Sequence, residues 1–208
     1  MYAKQNKQKI DQIYQFSLMT GIIILILSVP LSFVLSVSVS FENGLIENLQ
    51  IIVLMFNGIL NSTLVNQTSD RQIKAFNIWC AALSIFLACR ELSWGRIFYQ
   101  IGLEANGPVF VDMKNYIWRT EAHIFIIVYL LALTVFMFAK LPLKRMLRCK
   151  PPILTLLIMI ISVILSYIGD HGIIVGKLQG QVIEEFGELA FYVLIPSLCI
   201  HYFRELEK

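Results

Sequence analysis

Six apolar runs, each close to the roughly 20 residues that carry a helix across a bilayer core, dominate the chain and leave little choice of fold. They lie at 16–39, 46–65, 76–92, 122–139, 153–168 and 182–200. In hydrocarbon a backbone N–H or C=O has no water to bond, so a spanning segment must satisfy itself as a helix or join a closed barrel. These runs lack the alternation of barrel strands. They predict an all-α fold: a polytopic integral membrane protein with six transmembrane helices in one bundle, a single domain over 1–208. Composition agrees, with 57% hydrophobic and only 15% charged residues and a mean hydropathy of +0.71. Soluble domains carry about a quarter charged residues. An ordinary soluble enzyme is excluded, and the bilayer, not nucleic acid, is the expected partner.

The first run follows Lys4, Lys7 and Lys9, as a signal peptide would. It is longer than the roughly 7–15 residues of an apolar signal core, and no small-residue cleavage site follows, so it reads as a retained helix. Pro30 predicts a kink within it. Pro151-Pro152 suit the start of the fifth helix.

Basic residues predict orientation. With the N-terminus in the cytoplasm, Lys4, Lys7, Lys9, Arg71, Lys74, the loop KLPLKRMLRCK at 140–150, Arg204 and Lys208 all fall on that side. Both termini are therefore expected to be cytoplasmic, in the cell (inner or plasma) membrane. The acids divide the other way. Glu42, Glu47, Glu91, Glu104, Asp112, Glu121, Asp170, Glu184, Glu185 and Glu188 fall at or near the outer face, which gains a cation-attracting field.

The stretch 94–118 is the one long connector. Trp94, Phe98, Tyr99, Phe110, Tyr116 and Trp118 give it the composition of an interfacial aromatic belt. A short amphipathic helix is expected over 94–101, and a turn at Asn106-Gly107-Pro108. Cys80, Cys89, Cys149 and Cys199 contain no CxxC pair and read as small hydrophobes.

Polar residues recur at helical spacing within the apolar runs. Glu47, Gln50, Asn57 and Asn61 share one face, as do Ser162, Ser166 and Asp170. In QVIEEFGELAFY, at 181–192, Glu184 and Glu188 lie one turn apart. Side chains that cannot face lipid must turn inward. Under the six-span topology, Glu47, Glu91, Glu121, His123, Asp170, His171, Glu184 and Glu188 all reach one outer layer. So many carboxylates in a low dielectric require raised pKa values, basic partners or a bound cation. Arg90 is expected to form an ion pair with a carboxylate of a neighbouring helix. Glu47, Glu91, Asp170 and Glu188 are the candidate catalytic residues. His123, His171, Asp170, Glu184 and Glu188 are the candidate ligands for a divalent cation, a mixed set that suits zinc, manganese or iron.

This polar layer is similar to that of multi-pass lipid hydrolases of the alkaline ceramidase type. Glu184-x-x-x-Glu188 stands where that family needs a histidine pair, and the spans number six, not seven, so none of its residues is carried over. The functional expectation is a polar site near the outer membrane face, fitting a metal-dependent enzyme that acts on a lipid or lipid-linked substrate. The alternatives are an accessory or structural subunit of a membrane complex, with a membrane-protein partner or a second copy, and a small cation- or proton-coupled transporter.

Overall fold

A computed structural model describes residues 2–104 and 107–208. Six long helices form: α1 (Tyr2–Val34), α2 (Leu45–Val65), α3 (Arg71–Glu91), α4 (Arg119–Lys140), α5 (Ile153–Asp170) and α6 (Lys177–Glu207). Each contains a segment long and apolar enough to cross a bilayer. A one-turn helix, Leu143–Met146, lies between α4 and α5. The chain divides into two compact units, one made of the residues up to Ser40 together with Arg148–Lys208, the other of Phe41–Leu147.

In the first unit, α6 is the central element, and both α1 and α5 pack on it. Val182, Ile183, Ala190, Leu194 and Ile200 of α6 are fully buried. The contact with α5 is made through small residues that let the two backbones approach closely, as membrane helices do. At the far end of the same helix, Arg204 pairs with Asp11 of α1 and lies over the Tyr14 ring, 5.1 Å from its centroid. The N-terminal helix starts well before the expected 16 and passes through Pro30 without a break. It also stops earlier, at Val34, and the serine-rich segment after it forms a 3-10 turn, Val37–Ser40. Serine hydroxyls compete there for backbone partners: Ser38 Oγ bonds Ser36 Oγ at 2.9 Å, and Ser40 Oγ donates to the Val37 carbonyl at 2.8 Å. Gly172, at φ +59°, closes α5: its N–H bonds the Gly169 carbonyl at 2.8 Å and that of Ile173 bonds Ile168 at 3.2 Å.

In the second unit, α2 and α3 form an antiparallel hairpin and α4 packs against α3. Asp70 starts α3 by accepting the N–H groups of Gln72 (2.7 Å) and Ile73 (3.3 Å). The expected inward stripe of α2 is present. Gln50, Asn57 and Asn61 are fully buried, as are Asn77 and Ser84 of α3. Asn57 Nδ2 donates to Ser84 Oγ at 2.5 Å, and Asn61 Nδ2 to Asn57 Oδ1 at 3.1 Å. The fourth helix buries only Leu133 among its described residues. Two polar links hold it to α3: Trp79 Nε1 to the Leu133 carbonyl and Tyr129 Oη to the Ala82 carbonyl, each 3.0 Å.

The connector differs from the expected amphipathic helix. A short 3-10 segment, Ser93–Phe98, is followed by an antiparallel hairpin of β1 (Gln100–Glu104) and β2 (Gly107–Phe110). Positive φ at Ser93, Trp94 and Gly95 prevents an α-helix there, and the remaining residues are too few to nucleate one. Gly107 and Pro108 open β2, while Asn106 of the expected turn lies outside the described residues.

Candidate functional site

The turn after α3 builds an aromatic-lined site in the second unit. Ser93, Trp94 and Gly95 take φ values of 45°, 56° and 88° in succession. Glycine adopts this region freely, whereas a residue with a Cβ is held there at a cost on the order of 1–3 kcal/mol. Side chains on all sides enforce it. Ser93 Oγ donates to Glu42 Oε1 at 2.9 Å, and the same carboxylate takes the Arg96 guanidinium as a salt bridge. Arg96 also reaches the Val111 carbonyl at 3.4 Å, and Tyr116 Oη donates to the Trp94 carbonyl at 3.3 Å. The Trp94 ring is wedged edge-on between Phe86 (5.1 Å) and Phe125 (6.2 Å). Gly95 admits Tyr116, because a Cβ on it would come within 3.1 Å of that hydroxyl.

Beside this turn lies a partly open cavity of about 400 Å³, walled by Trp94, Phe98, Tyr116, Trp118 and Phe125. That is within the roughly 300–1,000 Å³ of small-molecule sites. Further contacts brace the walls: Trp118 Nε1 donates to Tyr99 Oη at 3.0 Å, and the Tyr99 and Tyr116 rings meet edge to face at 5.3 Å. Burial pushes the Tyr116 phenol above its ordinary value, with the neighbouring Tyr99 adding to the effect, so it stays a neutral donor. Among the described residues, Glu121, in the first turn of α4, is the one charged side chain lining the cavity. Its carboxylate forms no ion pair with any described residue.

The residues singled out in the sequence are distributed over the two units. In the second unit, Glu91 is buried at 6% exposure, and the Arg90 Nε lies 3.7 Å from its Oε1. This ion pair of Arg90 is with its own sequence neighbour. Glu47 is partly buried and accepts the backbone N–H of Asn43, ahead of α2. His123 is exposed, with Nδ1 2.7 Å from the Arg119 carbonyl of its own helix. In the first unit, Asp170 and His171 come together at the end of α5, with His171 Nδ1 3.5 Å from Asp170 Oδ2 and 3.0 Å from the Tyr167 carbonyl. Both side chains are exposed. Glu184, Glu185 and Glu188 are half-buried on α6. Among the described residues, no three of His, Cys, Asp and Glu gather closely enough to hold a metal ion.

Glu42, expected at or near the outer face with no partner in view, is tied to Ser93 and Arg96. The signal was present in the spacing of WGR, where glycine after an aromatic permits the reversal, but the carboxylate comes from more than fifty positions earlier. Compared with known protein families, curated proteins and solved structures, the chain matches none.

Proposed function

We propose that this is an integral protein of the cell membrane, with both termini cytoplasmic, that binds a membrane-resident amphiphile at the non-cytoplasmic face. One observation carries the reading: an aromatic-walled cavity is built on two non-glycine residues held in the left-handed region. Backbone strain of this kind persists where surrounding structure maintains it, and it concentrates at ligand sites. The cavity lies between the end of α3 and the start of α4, where both candidate spans end, so a ligand with an apolar tail has direct access from the bilayer. An enzyme acting on such a lipid is the extended form of this proposal, with Glu47, Glu91, Asp170 and Glu188 as its candidate carboxylates.

Lipid extraction and mass spectrometry of purified protein test it. A defined amphiphile should co-purify with the wild type and be depleted from Phe98→Ala and Trp118→Ala, both at exposed wall positions. Equal recovery from all three proteins would overturn the site. Metal analysis of the same samples tests the catalytic extension, which requires stoichiometric divalent metal lost on chelation.

A second reading, an accessory subunit of a membrane complex, draws on α4. Ile124, Ile127, Val128, Leu131, Val135 and Phe138 are all exposed on a helix that packs against α3. Cross-linking from position 131 in native membranes tests it; cross-links to lipid only would remove it.

A further inference from the structure

The charge and wall chemistry of the cavity define a head group. Five aromatic residues line it, and among the described residues Glu121 is the one charged lining group. A cation is attracted to both, and most strongly where water is excluded, while an anionic phosphate finds no base in the cavity. Hydrogen-bonding capacity narrows the choice further. A primary ammonium carries three donors that need acceptors. Among the lining side chains the oxygen acceptors are the Glu121 carboxylate and the Tyr116 oxygen, which donates its own O–H to the Trp94 carbonyl, and the rest of the wall is mainly aromatic, so a primary ammonium would exchange water for few acceptors. A quaternary ammonium needs no acceptor, and an aromatic enclosure with one carboxylate satisfies it.

We infer that the cavity binds the quaternary ammonium head group of a membrane lipid, with Trp94, Tyr116 and Trp118 enclosing the cation and Glu121 balancing its charge. The inference rests on the amphiphile-binding reading above and specifies its ligand. A lipid, rather than a free ammonium compound, follows from the mouth. Phe98 and Trp118 are 75% and 52% exposed there, and Ile117 beside them is 72% exposed, so the entrance offers apolar surface to a tail.

The test uses the full chain in phosphatidylglycerol nanodiscs with Trp79→Phe, which leaves Trp94 and Trp118 as the fluorescent tryptophans. Short-chain phosphatidylcholine, phosphatidylethanolamine and phosphatidylglycerol are titrated separately, and tetramethylammonium serves as the tail-free probe. The choline lipid should bind at least about tenfold more tightly than the other two lipids and than tetramethylammonium. Glu121→Gln should weaken it about five- to tenfold with the thermal midpoint unchanged, and Trp118→Ala should abolish the response. Equal binding of the three lipids, or no effect of Glu121→Gln, would overturn the head-group assignment while leaving an amphiphile site. Tetramethylammonium binding as tightly as the choline lipid would overturn the lipid source. No response to any lipid would overturn both this inference and the reading beneath it.

Discussion

Gly169 of α5 and Gly180 of α6 are packed backbone to backbone. A Cβ on Gly169 would come within 2.5 Å of the Glu184 nitrogen and 2.6 Å of the Gly180 carbonyl, and one on Gly180 would run into the Gly169 carbonyl. Gly187 repeats the contact two turns on, where a Cβ would come within 2.9 Å of the Ser162 carbonyl. The acidic head of α6 is thus seated by its glycines, which let the helix approach α5 with no side chain between.

Gly169→Ala and Gly180→Ala should each force the helices apart and destabilise the protein by about 1–3 kcal/mol, the usual cost of overpacking a tight contact. Gly102→Ala is the control, since a Cβ there meets nothing within 4 Å. Thermal unfolding in detergent reads the difference. If Gly180→Ala melts with the wild type while Gly102→Ala does also, the close approach is not a determinant of stability.

The Asn57–Ser84 hydrogen bond crosses the α2–α3 hairpin between two fully buried groups. Asn57→Ala removes it and also deprives the Asn61 amide of an acceptor. A double-mutant cycle with Ser84→Ala should give a coupling near 0.6 kcal/mol, and no more than about 1.7 kcal/mol, as for other interhelical bonds in membranes. Zero coupling would mean that the two side chains find equivalent partners when separated.

The helices were legible because the bilayer imposes a length and a polarity that each run displays on its own. The polar stripe through Gln50, Asn57 and Asn61 was legible for a related reason: helical spacing alone brings them to one face, and lipid forbids that face to be outside. The ring-walled cavity was not. Trp94, Phe98, Tyr116 and Trp118 have the composition of an interfacial anchor, and composition does not encode that Gly95 reverses the chain so the rings close on one space.

Asp70 predicts an acid-dependent stability. The Arg145 guanidinium, 2.8 Å away, and then the Gln72 N–H hold its carboxyl below the usual carboxylate range. The unfolded value is about 3.9. A folded value lowered below it means that the ionised carboxylate stabilises the fold above about pH 4, and that this contribution is lost as pH falls through the folded value. Both partners are over a third exposed, so the pair itself is worth roughly 0.2–1 kcal/mol. Asp70→Asn keeps a capping side chain and removes the charge. Its deficit against wild type should be present at pH 7 and vanish in acid. Asp70→Ala should cost a further ~1 kcal/mol at every pH through loss of the cap. A deficit for Asp70→Asn that persists unchanged into strong acid would contradict the charge assignment.

The Glu42 carboxylate fastens the turn that carries Trp94, since it receives both Ser93 Oγ and the Arg96 guanidinium. Replacing it removes the partners that offset the strain of two left-handed non-glycine residues. Glu42→Gln keeps an acceptor oxygen but loses the charge that holds the Arg96 guanidinium, and should therefore lose about 0.5–1.5 kcal/mol. It should also act on the ring, because a relaxed turn no longer sets the position of Trp94 between Phe86 and Phe125. In a background of Trp79→Phe and Trp118→Phe, emission comes from Trp94 alone, and Glu42→Gln should shift it to the red at temperatures where the helices remain folded by circular dichroism. Gly95→Ala should produce the same shift by a different route, pressing its methyl against the Tyr116 hydroxyl. An emission maximum unmoved in both variants would show that the turn keeps its conformation without the clamp, and that the strain is held by ring packing alone.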